Sequence, residues 1–164
     1  MHIQVVMFKQ DDPKKNTAAK LVKFGLAHCV NKTSAKTMVL NPFSEKFVLQ
    51  NDKKIVNSIT GIDCSWNLVE NTFKKKFLGV HRKLPPLLAG NPVNYSKLNK
   101  LTTVEAIAGA IYLIGFEKLS FDLLNKFKWG HTFYELNKEL LEQYSKATSQ
   151  NAIISIANEY QIMA

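Results

Sequence analysis

Ile55-Val56-Asn57-Ser58-Ile59-Thr60-Gly61-Ile62-Asp63-Cys64-Ser65-Trp66 decides how this chain is read. The run from Ile55 to Ile62 is short and largely apolar, as a buried strand requires. Trp66 to Asn71 has the character of a short helix. Asp63-Cys64-Ser65-Trp66 therefore falls where a central strand, Ile59 to Cys64, ends and the chain turns. In open α/β sheets, ligands bind in the crevice outside the carboxyl ends of the strands. A carboxylate and an indole at such a place offer a charge partner and an aromatic face to one ligand. Asp63 also has a purely local use, because Asp favours the cap position of a following helix.

Working outward, the N-terminal half alternates short strands with helical stretches. His2 to Phe8 is β-branched and apolar enough for a buried strand, and Asp11-Asp12-Pro13 turns the chain after it. Thr17 to His28 places Leu21, Val22, Phe24, Gly25 and Leu26 on a helical pattern. Thr37 to Leu40 is a second strand, stopped by Asn41-Pro42. Phe47 to Leu49 is a weak third, and Leu84 to Leu88 a further buried one despite its two prolines. The C-terminal half reads as helices. Thr102-x-x-Glu105 is a capping-box pattern opening an apolar helix, Val104 to Gly115, expected to be buried all round. Ser120 is expected to cap the next helix. Phe133, Leu136, Leu140, Leu141 and Tyr144 form one stripe at helical spacing, and Ile153, Ile156, Ala157 and Tyr160 another. These stripes are packing surfaces. The pattern predicts an α/β part over residues 1–92 and an all-α part over 93–164.

The 164 residues suffice for one domain, and a hydrophobic fraction of 46% argues against disorder. Lys and Arg number 22 against 13 Asp and Glu, a formal charge of +9 that points to a polyanionic partner. The cations are clustered: Lys14-Lys15, Lys74-Lys75-Lys76, Arg82-Lys83, and Lys97 with Lys100. That clustering favours RNA over a membrane surface. Phe127-Lys128-Trp129-Gly130-His131 interleaves aromatic and basic groups, either as a stacking platform or as helix packing. Two cysteines build no disulfide framework, and no Cys/His spacing suits a metal, so none is expected. Cys64 is read as a buried small apolar side chain. His28, His81 and His131 are candidate bases without a partner visible in sequence. His2 to Phe8 lacks the basic start and long apolar stretch of a signal peptide. Val104 to Phe116 contains Glu105 and is too short to span a bilayer. The expectation is a cytoplasmic protein.

Four segments, in order along the chain, carry a family resemblance: Asp12-Pro13-Lys14-Lys15-Asn16-Thr17; Asp63-Cys64-Ser65-Trp66; Leu84 to Tyr95 with Lys100 to Ala106; and Phe127 to His131 with Phe133 and Asn137. Together they resemble the small-subunit rRNA aminocarboxypropyltransferases, over roughly residues 1 to 145. Two positions depart from the pattern. Asn16 stands where Cys or Ser is common. Ser96 follows Tyr95 where Gly is expected, and if that glycine has a positive φ, Ser96 must adopt it or the loop must run differently.

The resemblance implies a fold related to the trefoil-knotted SPOUT-type methyltransferases, with S-adenosylmethionine held in the knot loops. It also implies a reaction: transfer of the 3-amino-3-carboxypropyl group to N3 of a pseudouridine, N1-methylated, in small-subunit rRNA. Methylthioadenosine is the other product. The same pocket with the cofactor rotated would donate methyl, as RNA methyltransferases do, and a pocket without cofactor would leave a non-catalytic ribosome-assembly factor. Since transfer of the chain instead of the methyl is a matter of orientation, the pocket must bury the methyl. Asp63 is the catalytic candidate, as acceptor of the imide proton or clamp for the methionine amino group. Trp66 is the second, its indole packed against the methyl or the chain with cation–π attraction for the sulfonium. Matched position by position, Thr17, Ile62, Leu84, Asn99 and Thr103 are the cofactor-binding candidates. Thr103 has independent support as the start of a helix, whose free N–H groups suit a carboxylate. Lys14, Lys15, Lys74, Lys75, Lys76 and Arg82 are the RNA-binding candidates, as phosphate contacts that position without reading sequence. The partner is small-subunit rRNA or a pre-ribosomal particle. The helical half can cover the face through which knotted enzymes pair, which implies a monomer.

Overall fold

The computed structural model describes residues 1–10, 12 and 14–163. Asp11 and Pro13 of the expected opening turn lie outside the described residues. Five strands form one parallel sheet: β1 (His2–Met7), β2 (His28–Cys29), β3 (Thr37–Leu40), β4 (Ser58–Asp63) and β5 (Val80–Arg82), in the order β2-β1-β4-β3-β5. β1 and β4 pair along their whole length, from His2 opposite Ser58 to Met7 opposite Asp63. From the end of β1 the chain leaves toward β2, and from the end of β4 it leaves toward β5, on the other side. Between them lies the switch point at which α/β sheets bind ligands.

The helices are α1 (Thr17–Lys23), α2 (Val69–Phe73, entered through a 3-10 turn at Trp66–Leu68), α3 (Thr103–Leu113), α4 (Glu117–Leu124), α5 (Gly130–Lys146) and α6 (Gln150–Glu159). α3 is the axis of the core. Ile107, Ile111 and Leu113 have no exposed surface, and each contributes roughly 1.5–3 kcal/mol by burial. α3 lies directly on β4 at Gly61: a Cβ there would meet Ile107 Cδ1 at 2.9 Å and Thr103 Cγ2 at 3.0 Å. The absent side chain thus sets how closely the helix N-terminus approaches the strand end. One apolar cluster runs from Ile3 and Val5 through α3 to Tyr144 and Ile153, across the expected division at residues 92 and 93.

Several sequence expectations are corrected. The first helix ends at Lys23, not His28, because the chain turns at Gly25 (φ +70°) and enters edge strand β2. Phe47 to Leu49 makes only a single parallel bridge, Phe47 with Lys83. Leu84 to Leu88 is extended and largely buried but no strand: Pro85 and Pro86 have no N–H to give a ladder, and the last strand falls one step earlier, at Val80–Arg82. Ser120 lies inside α4, buried, and its hydroxyl donates to the Ala108 carbonyl at 2.8 Å, tying α4 to α3. Phe116 occupies the cap.

Candidate active site

At the carboxyl ends of β4 and β3, beside the loop that follows β1, opens a cleft of about 780 Å³, within the range of small-molecule sites. All seven residues nominated as catalytic or cofactor-binding line it: Asp63, Trp66, Thr17, Ile62, Leu84, Asn99 and Thr103. Its walls come from the loop before α1, the end of β3 with Asn41 and Pro42 after it, the end of β4 with the turn after it, Phe73 of α2, the loop of residues 84–101, and the first turn of α3.

Asp63 is 7% exposed and both carboxylate oxygens are held. Asn16 Nδ2 donates to Oδ2 at 2.7 Å, and the Thr103 hydroxyl donates to Oδ1 at 3.0 Å. Asn16 is itself fixed as the cap of α1, its Oδ1 accepting from Ala19 N at 2.8 Å. The amide thus has one end in the helix and the other on the carboxylate. The Thr17 hydroxyl accepts from Val104 N at 3.2 Å, using one of the free N–H groups of α3 and joining the N-termini of α1 and α3 beside Asp63. Asp63 caps no helix: the 3-10 turn begins after Ser65, which makes no side-chain cap bond.

Trp66 is 38% exposed, with the Lys100 ammonium 4.8 Å from its ring centroid. An indole left this open at a cleft wall is not core packing, and a cation already on its face marks that face as a cation site. Cys64 is half-buried in the cleft wall instead of the core.

The loop of residues 84–101 is organised by Glu105, which is fully buried in the first turn of α3. Oε1 accepts from Gly90 N (2.7 Å) and Asn91 N (3.0 Å); Oε2 accepts from Asn91 Nδ2 (2.8 Å), Thr102 N (2.7 Å) and Thr102 Oγ1 (2.8 Å). The capping box expected from sequence is present, and the same carboxylate holds the far side of the loop as well. Asn91 Oδ1 accepts from Asn94 N, and Asn99 N donates to the Leu87 carbonyl. Ser96 and Asn99 are left-handed, with φ of 61° and 59°. Asn tolerates that conformation; Ser96 keeps the turn that glycine would make more easily.

Lys14, Lys15, Lys74, Lys75 and Lys76 are exposed; Lys15 lines the cleft, and the Lys75 ammonium lies 4.6 Å from the Phe8 ring just beyond β1. Arg82 is employed differently from its expected place among the phosphate contacts. Its Nε and Nη2 bind the Asp52 carboxylate at 2.8–3.1 Å, Nη1 donates to the His81 carbonyl, and the side chain is 16% exposed. A guanidinium so committed braces β5. Phe127 is buried and Trp129 packs against the core with the rings 5.4 Å apart, so this segment is helix packing. No histidine is among the described residues that line the cleft. Among the described residues no three His, Cys, Asp or Glu side chains group as a metal site would need, and no helix is long and apolar enough to cross a membrane.

Sequence reasoning overlooked the double use of Asn16 and Glu105. Asn16 carried a signal, an Asn directly before a helical stretch; for the reach of Glu105 to residues 90 and 91 there was none.

A family model described as "Ribosome biogenesis protein, C-terminal" matches residues 38–161. The chain is 42% identical to the 16S rRNA aminocarboxypropyltransferase of Methanobrevibacter smithii, over 98% of this chain and 97% of that one. It is 43% identical to the protein of the same name from Methanococcoides burtonii, over 97% and 94%. Among solved structures, it matches the SAM-dependent rRNA:acp-transferase Tsr3 of Vulcanisaeta distributa with a TM-score of 0.87 and 32% identity, over 96% of this chain and 89% of that one. With a parallel sheet, a strand-end cleft and relatives of this closeness over nearly its whole length, the chain belongs to the family of the 16S rRNA aminocarboxypropyltransferases.

Proposed function

We propose that this protein transfers the 3-amino-3-carboxypropyl group of S-adenosylmethionine to N3 of an N1-methylated pseudouridine in small-subunit rRNA. One observation carries the reading: an oriented carboxylate, Asp63, and a half-open indole, Trp66, line one cleft together with every residue nominated for the cofactor. The residues fit the donor, since a cleft of this volume, an acceptor for its ammonium or for an imide proton, and an aromatic wall for its sulfonium face are all present. Bound there, S-adenosylmethionine supplies an activated γ-carbon and a thioether leaving group.

Asn16 and Thr103 each occupy one lone-pair region of Asp63, leaving the remaining acceptor capacity for the cleft. Asp63 takes the imide hydrogen of the uracil ring and keeps its N3 aligned. Trp66 closes off the methyl, so that the longer chain is the group presented. Ile62, Leu84 and Asn99 hold the nucleoside, and Thr17 and Thr103 the methionine end. Lys14, Lys15 and Lys74 to Lys76 take phosphates, while Arg82 keeps β5 in place. Residues 1–92 and 93–164 act as the two walls of this single pocket. The proposal extends to a knotted, SPOUT-like path for the pocket loops, and to a cytoplasmic monomer working on rRNA or a pre-ribosomal particle; the packing of α3 on β4, which covers part of the sheet, supports the monomer.

The test is product analysis by mass spectrometry after incubation with S-adenosylmethionine and small-subunit rRNA that lacks the modification. Methylthioadenosine and a nucleoside heavier by one aminocarboxypropyl group are expected. S-adenosylhomocysteine with a methylated nucleoside would assign methyl transfer instead. RNA binding with no cofactor affinity would leave an assembly factor.

A further inference from the structure

Between α2 and β5 the chain builds a second hollow, of about 460 Å³, beside the rings of Phe73 and Phe77, the side chain of Leu78 and the run Lys74–Lys76. Phe73 lines this hollow and the cleft alike, so the two are neighbours across one ring. Phe43, Phe73 and Phe77 form an edge-to-face ladder with centroids 5.9 and 5.7 Å apart. Its Phe43 end is open, 52% exposed, Phe77 at the other end is half-buried, and Leu78 beside it is 61% exposed. Large apolar side chains grouped in water, rimmed by polar ones, mark an interaction surface.

This wall is set before anything binds. Asn41 Oδ1 accepts from Phe43 N at 2.9 Å, which turns its Nδ2 toward His81 Nδ1 at 3.0 Å. His81 Nδ1 must then be the acceptor, so Nε2 carries the proton and donates to the Phe77 carbonyl at 2.7 Å. Asn41, itself in the cleft wall, thus fixes Phe43 directly and Phe77 through His81. Preorganisation of this kind removes an ordering cost from binding.

The chemistry of the hollow selects its occupant. Three exposed lysines, two of them resting on neutral partners (Lys74 on Asn71 Oδ1 at 3.1 Å, Lys75 on the Phe8 ring at 4.6 Å), no carboxylate among its lining residues, and two half-exposed rings suit a nucleotide of single-stranded RNA, with base on ring and phosphate on lysine. A uridine whose N3 reaches Asp63 must leave its stack, which exposes a face of the base next to it. We propose that the hollow receives that adjacent base, stacked on the Phe73–Phe77 wall with its phosphates held by Lys74–Lys76. This rests on the rRNA-transferase reading above and adds where the neighbouring nucleotide goes.

The test is a double-mutant cycle between protein and RNA. Wild-type, Phe77→Leu and Phe77→Ala proteins are titrated against a labelled target-loop RNA, intact or with an abasic site at each position flanking the target. Phe77→Leu keeps the apolar packing and loses the ring. The expected results are a roughly tenfold loss of RNA affinity in this variant and a similar loss for wild-type with one particular abasic RNA. The two losses should not add when combined. Lys76→Ala should flatten the dependence of log Kd on log salt by about 0.7. S-adenosylmethionine affinity and melting temperature of Phe77→Leu should stay at wild-type values. Losses that add at every abasic position, or RNA affinity indifferent to Phe77, would overturn the subsite. Failure of wild-type to release methylthioadenosine strikes the transferase reading alone, because the cycle is read from binding.

Discussion

Glu105→Gln isolates the element that shapes the pocket without touching the groups assigned to the reaction. The substitution keeps the volume and removes the charge. Five donors converge on the carboxylate, and a glutamine has one oxygen to offer them. With that oxygen toward Gly90 N and Asn91 N, its NH2 group faces Asn91 Nδ2, Thr102 N and Thr102 Oγ1. The hydroxyl can turn and accept. Asn91 cannot turn without losing its bond from Asn94 N, and is left with a long contact from Nδ2 to the Lys100 carbonyl at 3.4 Å, while Thr102 N loses its 2.7 Å bond to the carboxylate. The opposite orientation instead strands the two backbone N–H groups of Gly90 and Asn91. Either way two donors lose their bond to this side chain, at roughly 1–3 kcal/mol each, and the surviving bonds are no longer charge-assisted. The expected loss is about 4 kcal/mol, or a fall of roughly 10 °C in Tm for a chain of this size. Because the freed segment includes Asn94, Asn99 and Lys100 of the cleft wall, S-adenosylmethionine affinity should fall about tenfold even well below the Tm. Thermal melting and isothermal titration of wild-type and variant read both effects. A variant that melts within about 2 °C of wild-type and binds the cofactor equally would refute the assignment of Glu105 as the organiser of this loop.

Asn16→Ala should cost about 1 kcal/mol of stability from the lost cap of α1 and lower kcat roughly tenfold or more through Asp63, with the RNA KM unchanged; equal kcat in single-turnover assays would remove Asn16 from the site. Arg82→Lys should destabilise by about 3 kcal/mol, since a lysine cannot reproduce the forked contact with Asp52 and leaves that buried carboxylate underpaired. RNA affinity measured below the Tm of that variant should stay near wild-type, and a clear loss there would return Arg82 to the phosphate contacts. Burial foremost, then the nearby Glu117 charge, pushes the Tyr112 hydroxyl from its ordinary 10 up to about 12. The folded chain then holds a proton that the unfolded chain has released, so this contribution is intact below pH 10 and lost as pH rises toward 12. Urea unfolding should show stability falling by up to about 2–3 kcal/mol over that window, and Tyr112→Phe should reduce the slope; an unchanged slope would show that other groups set it.

How much of this was legible follows the range of the interactions involved. The strands beginning at His2, Thr37 and Ser58 announce themselves because a buried parallel strand writes its environment into its own side chains, and Thr102-x-x-Glu105 does so because a capping box is local. β2 and β5 went unseen because two or three residues carry no period of their own; they are strands only because Val5 and Met38 lie beside them. The same distinction runs through the site. That Asp63 and Trp66 stand at a strand end could be read from a dozen consecutive residues. That Asp63 is gripped by Asn16, 47 positions earlier, and Thr103, 40 positions later, could not. Arg82 shows the converse case: by sequence it is one more cation in a basic chain, and only the fold supplies the Asp52 with which it pairs. In a chain of net charge +9, cations outnumber the carboxylates that can hold them. The ones left for RNA are therefore identified by asking which carboxylates are already taken. Asp52, Asp63 and Glu105, the three buried among the described residues, are each filled from within the fold. Only Asp52 is filled by a cation; Asp63 and Glu105 are met by neutral N–H and O–H groups, which leaves the lysines at the cleft rim uncommitted to them.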